Sequence, residues 1–121
     1  MKKIKGSCLC KKITFEIKNE CRYSVFCHCQ MCQASNAEFS SYTKVKKENL
    51  NFKSKKTLKW FVSSKHYKRG FCSICGSSLF FQKKSSDDYI SISTGILNKN
   101  IPSIGHISVS YTHLTLPTTT I

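Results

Sequence analysis

FCSICG, residues 71–76, places two cysteines three residues apart and follows them with glycine, and its reading decides how the chain folds. Two thiols at that spacing on a tight turn grip one metal ion. Gly76 can take the left-handed backbone that wraps amides toward the sulfurs. A tetrahedral zinc filled by two thiolates still wants two more. GSCLC, residues 6–10, offers them, because Cys8 and Cys10 stand at i and i+2 and on an extended strand such residues face one way. Cys8, Cys10, Cys72 and Cys75 then make a closed four-thiolate site, which is structural in kind. It would staple the first strand to a hairpin more than sixty residues later.

Between these two halves the chain reads as short alternating strands with almost no helical period. ITFEIK (13–18) puts Ile13, Phe15 and Ile17 on one face, and YSVFCHC (23–29), FSSYTKV (39–45), LKWFV (58–62), SLFFQ (78–82) and YISIST (89–94) behave alike. Lys, Asn and Ser clusters punctuate them at 46–49 and 83–88. A helical turn is expected around Lys46 and another after Cys29. The expectation is one mostly-β domain over residues 4–108. Its pairing should be antiparallel, since the connections are too short for crossover helices.

CHCQMC, residues 27–32, then carries three further cysteines, Cys27, Cys29 and Cys32. Three thiolates with one place left over is how a catalytic zinc is built. His28 lies between two ligands, so on a strand its ring faces away and it is a poor fourth donor. Cys21 could fold back to serve, or be a plain buried thiol. A fourth protein ligand would turn the whole molecule into a metal-stapled binding module with both zincs structural.

Composition narrows the function class. The formal charge of +14 comes from 20 basic and 6 acidic residues, and only Arg22 and Arg69 are arginine. Specific nucleic-acid readers rely on arginine forks, and here the lysines are scattered, so no specific nucleic-acid partner is expected. No run approaches the ~18 apolar residues of a membrane span. The basic start MKKIKGSCLC lacks an apolar h-region. A cytoplasmic protein is the expectation, and the spacings of its eight cysteines argue for metal rather than disulfides.

The order G-x-C-x-C (Gly6–Cys10), C-H-C-x-x-C (Cys27–Cys32) and R-G-F-C-x-x-C-G (Arg69–Gly76) resembles the glutathione-dependent formaldehyde-activating enzyme family, whose eukaryotic relatives include centromere protein V. SLFF at 78–81, STG-I-L at 93–97 and GHI at 105–107 extend the likeness. The resemblance implies a mostly antiparallel fold of the Mss4-like type and two Zn2+ ions. Cys8, Cys10, Cys72 and Cys75 would hold the structural one, and Cys27, Cys29 and Cys32 the catalytic one. It also implies a carbon–sulfur lyase-type reaction that interconverts S-(hydroxymethyl)glutathione with glutathione and formaldehyde. Three anionic sulfurs weaken the Lewis acidity of zinc and favour a soft thiolate in the open place. The partner is therefore a small-molecule thiol. Arg69 could steer such an acidic ligand, or be an exposed charge or a partner for a backbone carbonyl. Glu38 is the one carboxylate near the second motif, and His106 reads as structural. Where many family members carry a glycine after the second motif, this chain has Asn36, which tolerates a left-handed turn.

The last thirteen residues, VSYTHLTLPTTTI (109–121), hold none of the 26 charged residues and five of the nine threonines. VSYTHLTLPT matches one translated frame of a transposon-end sequencing adapter. The expectation is therefore a non-native tail fused at about Ser108, which would leave the domain truncated; the other reading is a Thr-rich terminal strand.

Overall fold

The computed structural model describes residues 3–18, 24–27, 34, 40–85, 88–99 and 101–107, without the side chains of 25, 27, 40, 104, 106 and 107. Ten strands and two 3-10 turns are defined there. Strands β1 (Ile4–Ser7), β2 (Ile13–Ile17) and β5 (Leu50–Lys55) form a three-stranded sheet in the order β1-β2-β5. A seven-stranded sheet joins β3 (Ser24–Cys27), β4 (Ser40–Lys46), β6 (Leu58–Val62), β7 (Tyr67–Cys72), β8 (Ser78–Lys83), β9 (Tyr89–Ser93) and β10 (Ser103–Ile107). Its order is β10-β3-β4-β9-β8-β7-β6. The turns are η1 (Lys47–Asn49), where a helical turn was expected, and η2 (Thr94–Ile96). Among the described residues no helix is long and apolar enough to cross a membrane.

Alternation accounts for the clearest strands. Ile13, Phe15 and Ile17 of β2 are 0–1% exposed, while Thr14 and Glu16 between them are only half-buried. Period-two patterning of this kind presents one face to the core. The core lies between the two sheets. Phe80 of β8 meets Phe15 (ring centroids 5.4 Å), Phe52 (5.6 Å) and Trp60 (6.0 Å), and Ile90, Ile92 and Val45 extend it along β9 and β4. Each such side chain contributes about 1.5–3 kcal/mol on burial. Gly6 belongs to this packing: a Cβ there would lie 2.3 Å from Phe15 Cζ, so the ring fills the space a side chain would need.

Pairing is antiparallel with one exception. β10 runs parallel to β3, with Ser103 opposite Ser24 and Ile107 opposite Cys27. The expectation of antiparallel pairing rested on short connections between consecutive strands. β3 and β10 are far apart in sequence, so that constraint does not reach them.

Candidate metal centre

The turn between β1 and β2 and the turn between β7 and β8 meet at the seam of the two sheets, and four thiols converge there. The Sγ atoms of Cys8, Cys10, Cys72 and Cys75 all lie within 4.8 Å of one another. Cys8 to Cys10 is 3.6 Å and Cys10 to Cys72 is 3.7 Å. A tetrahedral zinc with sulfurs at ~2.3 Å has S···S edges of about 3.8 Å, whereas a disulfide needs ~2.05 Å. The spacing fits four ligands around one ion, so the donor set and the geometry agree on a metal such as zinc.

Local backbone explains how each sulfur arrives. Cys72 closes β7, and the following turn returns Gly76 N–H to Cys72 O at 2.9 Å, with Gly76 at φ 75° as its sequence position suggests. The amides of Ile74 and Cys75 thereby point at Cys72 Sγ, each 3.4 Å away. Cys8 and Cys10 are not on a strand. β1 ends at Ser7, Lys11 N–H donates to Cys8 O at 3.1 Å, and Lys11 takes φ 65°. The reason is metric: residues i and i+2 of a strand are about 6.6 Å apart, so curling the C-x-C segment brings its sulfurs to a shorter edge. Ile13 N–H donates to Cys8 Sγ at 3.4 Å, and Leu9 N–H reaches across to Ser77 Oγ at 3.0 Å.

The surroundings separate the thiols in acidity. Cys75 drops from an ordinary 9.0 to about 5, led by the Ser77 hydroxyl 3.2 Å from its sulfur, with burial opposing and the amides of Cys10 and Ser77 assisting. At Cys72 burial is the largest influence and pushes upward, but the Cys75 and Ile74 amides and the Thr57 hydroxyl at 3.2 Å outweigh it and leave the thiol below 9.0. Cys10 goes the other way, to about 11: the Lys12 amide pulls down, but burial and the three neighbouring thiols prevail. A metal ion arriving at neutral pH therefore meets a thiolate already favoured at Cys75, a Cys72 thiol made easier to ionise, and a proton on Cys10 that it must displace. Ser77, next to Gly76, was within reach of sequence reading. Thr57 was not, because it comes from the β5–β6 corner.

The second cysteine motif stands elsewhere. Cys27 ends β3 and pairs with Ser40 of β4. β3 is four strand steps from β7, about 19 Å at ~4.8 Å per step. Cys27 belongs to a different part of the sheet from the four-sulfur cluster. Its side chain, and Cys21, His28, Cys29, Cys32, Asn36, Glu38 and residues 109–121, lie outside the described residues. His106 pairs in register with Phe26 on β10, and its side chain is likewise outside them.

Arg69 needs a correction. It is 5% exposed rather than a surface charge. Its Nη1 donates to Tyr42 Oη at 2.7 Å, and its guanidinium carbon lies 4.5 Å over the Phe81 ring. Phe81 also stacks on Tyr67 (4.9 Å) and Tyr42 (5.8 Å). Arginine is suited to such a desolvated aromatic setting, and its burial overturns the exposed-charge reading.

A two-sheet β protein pinned at its seam by four thiols that fit one metal ion defines the class. The family description "Glutathione-dependent formaldehyde-activating enzyme" matches residues 3–111, and the chain belongs to that family. The family's chemistry is formaldehyde activation with glutathione, a small-molecule thiol. A crystal structure of a Rhodobacter sphaeroides protein, a structural-genomics target, shares the fold with a TM-score of 0.68 at 20% identity, over 81% of this chain and 91% of that one. No curated protein matches the chain.

Proposed function

We propose that the protein is a two-zinc carbon–sulfur lyase that interconverts S-(hydroxymethyl)glutathione with glutathione and formaldehyde. In the forward direction the thiol sulfur bonds to the aldehyde carbon, the C=O π pair moves onto oxygen, and the proton lost from sulfur ends on that oxygen. Atoms and electrons balance without an oxidant or reductant. Cys8, Cys10, Cys72 and Cys75 are assigned to the structural ion, and Cys27, Cys29 and Cys32 to the catalytic one.

One observation carries this reading. The four-thiol cluster is complete in itself, and the strand bearing Cys27 stands four steps away in the sheet. Cys27, Cys29 and Cys32 are thus left to make a donor set of their own, three thiolates in six residues. Bound zinc would supply a position there that accepts a soft sulfur donor. The three cysteines would hold that position, and the first of them, Cys27, ends β3. Membership of the family supports the choice of glutathione as the thiol.

Two-dimensional exchange NMR on glutathione and formaldehyde at equilibrium tests the proposal. The wild-type protein should speed interconversion above the spontaneous rate, and Cys29→Ser should return it to that rate. Equal exchange with wild type, with Cys29→Ser and with no protein would refute catalysis and favour a binding module with two structural zincs.

A further inference from the structure

Arg69 is enclosed in the aromatic stack, and a second cationic surface, made of exposed lysines, lies on the three-stranded sheet. A cleft of about 780 Å³ opens between the β1–β2 hairpin and residues 95–98, within the ~300–1,000 Å³ range of small-ligand sites. Lys5, Lys11 and Lys53 line it together with a single carboxylate, Glu16. Glu16 is engaged by Lys3 at 3.5 Å and Lys53 at 3.9 Å. Glu16 stands opposite Lys5 across the β1–β2 pair but makes its ion pairs with Lys3 and Lys53, and no described carboxylate bridges to Lys5 or Lys11, so lysines outnumber carboxylates on the cleft three to one.

Two backbone features mark the same cleft. Lys11 is the sole described non-glycine residue at positive φ, 65°. That conformation belongs to the turn that gathers the cluster's sulfurs, and it sets Lys11 on the cleft wall. On the opposite wall a Cβ built on Gly95 would meet no atom within 4 Å. The glycine leaves free volume on that wall.

The Gly95 wall is also tied to the strand that leads into CHCQMC. Thr94 Oγ1 and Ser41 Oγ share a 2.5 Å hydrogen bond. Ser41 pairs across the sheet with Phe26, the residue before Cys27.

We infer that this cleft binds the peptide part of an acidic tripeptide-sized thiol, its carboxylates on Lys5 and Lys11 and its cysteinyl end against Gly95. The inference rests on the proposed lyase function for the identity of the ligand. Exposed lysine–carboxylate contacts are individually weak, so the site should be salt-sensitive and of modest affinity.

S-methylglutathione is the probe, because it keeps both carboxylates but has no free thiol to add to formaldehyde. Binding is followed by NMR shifts on zinc-loaded wild type, on Lys5→Ser/Lys11→Ser and on Gly95→Leu, with zinc content as the folding control. Wild type should bind, more weakly at 500 mM than at 50 mM salt, and both variants should bind about tenfold more weakly. If Gly95→Leu fails to fold, the lysine pair carries the comparison alone. Equal affinity in wild type and the lysine variant, or no binding to wild type, overturns the cleft. Binding in the cleft by a protein that does not speed exchange would support the cleft and sink the lyase reading. Accelerated exchange with an unchanged KM for glutathione in Lys5→Ser/Lys11→Ser would do the reverse.

Discussion

The four-sulfur cluster and the cleft beside it share Cys8, Leu9 and Ser77 yet are built on opposite rules. In the cluster Cys8 and Cys72 are almost fully buried, and amides or hydroxyls are aimed at the sulfurs of Cys8, Cys72 and Cys75. In the cleft the lysines are exposed, Leu9 is 82% exposed, and Gly95 faces open space. The difference teaches that rigidity and access are divided between neighbours. A metal held by these thiols would clip the chain across 62 residues and close a long loop, where clips have most to offer. The hairpin it fixes can then present an open surface without collapsing onto it.

Breaking the rigid half should cost most. Cys72→Ser removes a buried ligand, and with it structural zinc binding of the order of 10 kcal/mol. The expected outcome is loss of one zinc and of cooperative thermal unfolding; a cooperative transition with unchanged zinc content would contradict the cluster's role. Phe80→Ala, at the centre of the ring contacts, should destabilise by about 3–5 kcal/mol in urea unfolding. Gly6→Ala should cost about 1–3 kcal/mol, because the methyl competes with the Phe15 ring.

Acidity sharpens the comparison more gently. Between about pH 5 and 11, where Cys75 is ionised and Cys10 protonated, metal binding releases at least the Cys10 proton. Affinity should fall at least tenfold per pH unit on acidification, and more steeply below about 5 as Cys75 takes up its proton. Competition with a zinc chelator across pH reads this directly, and a flat profile would contradict it. In the metal-free fold the two thiols act oppositely. The lowered Cys75 stabilises above 9.0 and loses that as pH falls toward 5; the raised Cys10 stabilises below 9.0 and loses that as pH rises through 11. The smallest effect belongs to Gly95→Ala, which meets no neighbour and should change stability by no more than about 1 kcal/mol. A larger loss would mean the cleft wall is packed rather than open.

Much of the fold was legible because burial follows alternation. All six runs chosen for period-two patterning coincide with a strand to within a residue or two at each end, from Ile13–Ile17 to Tyr89–Ser93. β1, β5, β7 and β10 were not singled out. IKGS and LNFKSK are interrupted by lysine and short polar residues, and YKRGFC carries Arg69 and Gly70 in its middle. Those residues suit the strand only because of distant partners. Arg69 is buried by Phe81 and by Tyr42, 27 residues away, and no local pattern announces that. The four-cysteine set was readable since ligand spacing is a local signal. The cleft lysines were invisible among 18, because what distinguishes Lys5 and Lys11 is the surface they share with Gly95.

Zinc-edge X-ray absorption with metal analysis, on wild type and Cys29→Ser and with or without glutathione, tests the two-site account most directly. The account predicts two zincs in wild type, one with four sulfurs and one with three, the second gaining a sulfur when glutathione is added, and one zinc in Cys29→Ser. Two zincs that each already hold four protein sulfurs and ignore glutathione would contradict it.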